Sequence, residues 1–125
     1  MQNPHDALVK RSLKDAKIAR DFFKSHLPAA IRDRVDFNTL RLTDKGYIDE
    51  QLRQCYSDIV YQCLIDGSEG YFYCLVEHQS TADAMMPYRF LKYNVGLMDD
   101  HLRQGNKTLP AIVNICLYHG AESPY

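Results

Sequence analysis

The chain has 125 residues, 46% of them hydrophobic and 25% charged, which excludes a disordered or fibrous class and sets the expectation of one globular domain over residues 1–125. Its net charge of −1 lacks the basic footprint of a protein that grips nucleic acid mainly through phosphate contacts, but acidic residues that hold a cation are compatible with phosphate chemistry. No run reaches the roughly 18 to 20 apolar residues that cross a bilayer, and Met1-Gln2-Asn3-Pro4-His5-Asp6 carries no signal pattern, so a cytoplasmic protein without a membrane partner is expected.

Apolar residues recur at helical spacing from Asp6 to Leu27, through Leu13, Ala19, Phe22 and Phe23, and predict an amphipathic helix. Lys14-Asp15 is the point at which it can break, because Asp is a poor interior residue and a good cap. Pro28 then opens a short helical turn reaching Arg34. The alternation in Thr39-Leu40-Arg41-Leu42-Thr43 predicts a half-buried strand that stops at the turn signal Asp44-Lys45-Gly46. A second strand runs from Tyr56 to Ile65, followed by a hairpin loop at Asp66-Gly67-Ser68-Glu69-Gly70.

The nearly continuous apolar run Tyr71-Phe72-Tyr73-Cys74-Leu75-Val76 suits a strand buried on both faces. Helical periodicity returns over Pro87–Leu102, with Gly105 as its stop, and Leu109 to Tyr118 predicts a last buried strand. The order is helix, three strands, helix, strand, an α/β class with a mixed sheet flanked by helices. Cys55, Cys63, Cys74 and Cys116 form no CxxC pair and read as reduced thiols that pack as small hydrophobes. Ser123-Pro124-Tyr125 ends without a capping element, which raises the expectation that the chain is a fragment.

Candidate chemistry gathers at strand ends. Asp58 lies at the start of the second strand and Glu77 at the end of the third, so an antiparallel return brings both to one edge of the sheet. Gln79 shares the face of Glu77 by the period of two, and the backbone carbonyl of His78 is a further oxygen ligand. Two carboxylates of this kind can hold a divalent cation, which hydrolysis of a phosphodiester needs to activate water and offset phosphate charge, while Gln79 can orient a group but not act as a base. By spacing alone the signal is weak, because an Asp and a Glu flanking a hairpin are more commonly just solvated strand ends.

Several motifs occur in order along the whole chain: His5-Asp6-Ala7-Leu8-Val9-Lys10, Ala19-Arg20-Asp21-Phe22, His26-Leu27-Pro28, Tyr56-Ser57-Asp58, Val76-Glu77-His78-Gln79-Ser80, Arg89-Phe90, Leu109-Pro110 and Tyr118-His119-Gly120. Together they resemble the Rpn (YhgA-like) family of recombination-promoting nucleases, placed in the PD-(D/E)XK superfamily with its restriction-endonuclease-like core. The resemblance implies a DNA endonuclease dependent on Mg²⁺ or Mn²⁺, with Asp58 and Glu77 as metal ligands and Gln79 where the superfamily usually carries Lys. It also implies a link to recombination or mobile elements, and a C-terminal region in longer members that this chain lacks.

Asp6 and Lys10 match the family's N-terminal motif, as metal support and phosphate contact respectively. The alternative is a helix cap and a solvated lysine. Arg89 and Tyr93, one helical turn apart, are candidates for contact with a DNA backbone, against the reading of a wet-face Arg and a core Tyr. His119 reads as a turn residue. DNA is the expected partner, self-association is left open, and the alternative function is a catalytically inactive DNA- or protein-binding module that retains the nuclease core.

Overall fold

The computed structural model describes residues 11–77 and 84–117, and the N-terminal helical run does break at Lys14-Asp15. Asp15 caps helix α1 (Ala16–His26), its carboxylate accepting from the backbone N–H of Lys17 at 2.9 Å and of Ile18 at 3.4 Å. Leu27 is extended, as a residue before proline is driven to be, and Pro28 opens the short helix α2 (Ala29–Arg32).

Strand β1 covers Val35–Leu42, so it starts four residues before the expected Thr39. Asp36 and Asn38 resemble turn residues in sequence, and their local bonding is indeed turn-like. Asp36 accepts from the Asn38 N–H, and the Thr39 hydroxyl donates to the Asp36 carbonyl at 2.6 Å. That same hydroxyl accepts from the Leu64 N–H at 2.8 Å, which carries the pairing with the next strand across a register shift between Asp36 and Arg41.

Strands β2 (Tyr56–Ile65) and β3 (Ser68–Glu77) form an antiparallel hairpin in which Ile65 pairs with Ser68. The connection is therefore two residues, not the five of the expected loop at 66–70. Asp66 at φ 52° and Gly67 at φ 79° supply the paired positive torsions that match the twist of a tight hairpin. Polar Glu69 stays within β3 because Arg41 and Gln62 donate to it, at 3.2 Å and 2.9 Å.

Helix α3 (Met86–Arg103) and strand β4 (Ala111–Leu117) complete the described chain, and the strand order is β1-β2-β3-β4 with only the last pair parallel. This is a four-stranded mixed sheet flanked by helices, compatible with a restriction-endonuclease-like core. As expected, β3 is buried on both sides. Phe72, Cys74 and Val76 meet Phe23 of α1, whose ring stands edge-on to Phe72 at 4.7 Å. Tyr71, Tyr73 and Leu75 meet Met86, Tyr93 and Leu97 of α3 on the opposite face. The four cysteines are free thiols, Cys63 and Cys74 being buried. Among the described residues no helix is long and apolar enough to cross a membrane.

Candidate functional site

In the hairpin ladder, Asp58 stands opposite Leu75 and Tyr56 opposite Glu77. Residues directly opposite share a face, and so do residues two apart on one strand. Asp58 and Glu77 therefore project from the same face of the sheet, one diagonal step apart, on the side covered by α3. Tyr73 is the other diagonal neighbour of Asp58 on that face. Cys116 of β4 pairs with Leu75 and joins the group, its thiol pushed up to about 11 by burial first and by the negative charge of Glu77 second. Glu77 itself is 1% exposed, whereas Asp58 is half-buried at the rim.

Asp58 is fixed through one oxygen. Its Oδ2 accepts from the Tyr73 hydroxyl at 2.6 Å, from the Tyr47 N–H at 2.5 Å and from the Ile48 N–H at 3.2 Å. Burial, followed by the bond to Asp58, drives the Tyr73 hydroxyl well above the ordinary tyrosine value and keeps it a donor. The two backbone donors belong to the segment after β1, which crosses the end of the sheet. Gly46 lets that segment lie close to the carboxylate, since a Cβ there would stand 3.0 Å from Asp58 Oδ1. Tyr47 is anchored in turn by donating its hydroxyl to Asp100 of α3 at 2.6 Å. Burial and that bond raise its own titration above the ordinary value.

Asp58 also faces open space. One cavity of about 270 Å³ is lined by Lys14, Ile48, Arg53, Tyr56, Ser57 and Asp58. A second, of about 600 Å³, is bounded by residues 42–46 together with Lys14, Arg53, Asp58, Ile59 and Val60. Lys14, Arg53 and Asp58 are common to both. The arrangement offers a carboxylate oxygen at the rim of a cleft, a second carboxylate on the same face, and two cations at the opening. Among the described residues, no three His, Cys, Asp or Glu side chains cluster as a metal site.

Of the residues expected from sequence, Asp58 and Glu77 are thus brought to one face. Tyr93 is in the core, 2% exposed and stacked on Tyr73 at 6.0 Å, while Arg89 is half-buried on α3. Asp6, Lys10, His78, Gln79 and His119 lie outside the described residues. Sequence reading did not place Lys14, Tyr47, Arg53 or Tyr73 in the site. Only Tyr73 had an available signal: once the hairpin register is known, it is the diagonal neighbour of Asp58.

A family model described as "Putative transposase, YhgA-like" matches residues 3–125. The chain is 45% identical to the recombination-promoting nuclease RpnA of Escherichia coli strain K12 over 122 residues, covering 98% of this chain and 42% of RpnA. It is 38% identical to RpnC of the same strain over 122 residues, covering 98% of the chain and 41% of that nuclease. A third relative from that strain, YjiP, named a putative inactive recombination-promoting nuclease-like protein, is 39% identical over 95 residues, 76% of this chain and 92% of YjiP. The chain spans less than half the length of RpnA and RpnC. No solved structure matches it.

Proposed function

The chain belongs to the YhgA-like family, and on that premise we propose that it is a DNA endonuclease dependent on Mg²⁺ or Mn²⁺, with Asp58, Glu77 and Gln79 as its catalytic residues, acting in the cytoplasm on DNA in recombination or on mobile elements. The observation that carries this reading is the placement of Asp58 and Glu77 on one face, with Asp58 immobilised through Oδ2 by three donors. A side chain locked in this way presents its other oxygen without paying rotamer entropy at each turnover.

The donor set suits a hard divalent ion, because Mg²⁺ retains several waters and commonly takes only one or two protein carboxylates. Asp58 and Glu77 would hold it, with the His78 carbonyl as a further ligand. When bound, such an ion supplies Lewis-acid charge and a more acidic water. Tyr73 and the Tyr47 and Ile48 N–H groups keep Asp58 oriented, and α3 and the aromatic face around Tyr73 keep bulk water from Glu77. Gln79 orients the attacking water or the phosphate. Arg89 is a candidate contact for the DNA backbone, as are Asp6 and Lys10 for metal support and phosphate.

The competing reading is a DNA- or protein-binding module without cleavage. In its favour, relatives named inactive resemble this chain about as closely as relatives named nucleases do, YjiP at 39% identity beside RpnA at 45%. Incubation of supercoiled plasmid with the chain in Mg²⁺, Mn²⁺ or EDTA, beside the Asp58→Ala variant, separates the two. Metal-dependent nicking by the parent alone supports the nuclease; DNA left intact by both, with the parent folded, supports the module.

A further inference from the structure

The two cavities beside Asp58 share two cations, Lys14 and Arg53, and among the described residues neither side chain has an ion-pair partner. Lys14 sits at the break before α1, where the Tyr61 hydroxyl donates to the Leu13 carbonyl at 2.6 Å and ties that turn to β2. Arg53 follows the 3₁₀ turn Glu50–Leu52, whose Leu52 carbonyl accepts from the Cys55 N–H at 2.9 Å just before β2 begins. The Lys14 turn is thus tied to the strand that carries Asp58, Arg53 lies three residues before that strand begins, and both side chains are exposed. Among the described residues neither forms an ion pair, although Asp58 is on the same cleft wall. Asp58 Oδ2 is held by its three donors and needs neither cation.

By contrast, the other cation of the larger cavity, Lys45, is engaged with Asp100 at 4.0 Å. A chain with a net charge of −1 thus lines a cleft of about 600 Å³ with two cations that, among the described residues, have no acidic partner. We propose that Lys14 and Arg53 grip successive phosphates of a DNA strand and lay it across the cleft beside Asp58. Arg presents a fork of donors that fits a phosphate edge, and Lys a point charge that tolerates a shifting one. The proposal rests on the nuclease reading for the purpose of the grip, but not for the grip itself.

Binding of a fluorescent DNA duplex, followed by anisotropy in Ca²⁺ over a range of salt concentrations, tests it without requiring cleavage. Each lost phosphate contact lowers the slope of log affinity against log salt by about 0.9. Lys14→Gln and Arg53→Gln are expected to lower the slope by about that amount each, and the double variant by about twice as much, with thermal unfolding unchanged. Lys107→Gln, at the far end of the sheet before β4, is expected to leave it unaltered. Slopes unchanged in the two cleft variants, an equal loss from Lys107→Gln, or no binding by the parent overturns the proposal. If the parent fails to nick plasmid but the cleft variants lose slope, the grip stands and the nuclease reading falls; nicking with unchanged slopes gives the reverse.

Discussion

Tyr73 and Asp58, on neighbouring strands and one diagonal step apart, are joined by a 2.6 Å hydrogen bond between hydroxyl and carboxylate. The same tyrosine stacks on Tyr93 of α3. A core aromatic is thereby also the support of the rim carboxylate, so packing of the helix and orientation of the carboxylate are coupled.

Replacing Tyr73 with Phe keeps the ring and removes only the donor. The two backbone donors from Tyr47 and Ile48 remain. A hydrogen bond to a charged group is worth about 1.5–3 kcal/mol, so the urea midpoint of Tyr73→Phe should fall without loss of cooperativity. Groups that orient a metal ligand commonly contribute 10- to 100-fold, and plasmid nicking should drop by roughly tenfold or more. An unaltered nicking rate in a variant of lowered midpoint would reduce Tyr73 to a purely structural role.

Metal binding can be read without any substrate. A ligand that binds only the folded state at about 100 times its Kd adds about 2.7 kcal/mol, enough to raise the melting temperature by several degrees. Mn²⁺ should do this for the parent chain and not for Asp58→Asn or Glu77→Gln. Equal shifts in all three proteins would place the ion elsewhere.

At Gly46 the expectation is steric. A methyl group there would press on Asp58 Oδ1 at 3.0 Å, tighter than ordinary contact. Gly46→Ala should therefore move the crossing segment or the carboxylate, weakening the Mn²⁺-induced melting shift while the fold persists. Circular dichroism and the melting shift together check this, and a full shift in a folded variant would count against Oδ1 as the metal-facing oxygen.

Alkaline pH should destabilise the fold through buried thiols. Burial, with Glu69 next in effect, pushes Cys63 up to about 12, and burial with Glu77 pushes Cys116 up to about 11, from an ordinary 9.0. A group whose folded value is raised favours the native state fully below its unfolded value and loses that contribution as pH climbs to the folded one. Urea midpoints should hold up to about pH 9 and decline between pH 9 and 12. Cys63→Val, which removes the titrating group, should flatten part of that decline.

How far the sequence reaches can be judged from single residues. Asp15 announced the break and cap of α1 because capping is local, and the run from Tyr71 to Val76 announced a strand buried on both faces because burial leaves a composition signature. The first four residues of β1 were not anticipated: Asp36 and Asn38 make turn-like bonds, and the pairing of Val35 and Asp36 with β2 together with the Thr39 hydroxyl, which accepts from Leu64, keeps that stretch in the sheet. Asp58 and Glu77 could be placed at one end of a hairpin from order alone. The donors on Asp58 could not, since Tyr47 and Tyr73 are 11 and 15 residues from it in sequence and meet it only when the sheet has formed. Lys14 and Arg53 carry no pattern of their own; their relation to Asp58 is wholly tertiary.

The Asp66-Gly67 connection acquires a meaning beyond local economy when it is seen as a ruler. It sets the count from which both arms of the hairpin are measured, and Asp58 lies seven residues along one arm, about 23 Å from the bend at the usual rise per residue. Because neighbours along a strand alternate sides, one inserted residue at the bend that shifted the pairing by a single step would carry Asp58 and Glu77 to opposite sides of the sheet while changing neither. The meeting of the two carboxylates is thus decided at the far end of the molecule, and tolerance to insertion at that bend measures how firmly the distant register is held by anything else.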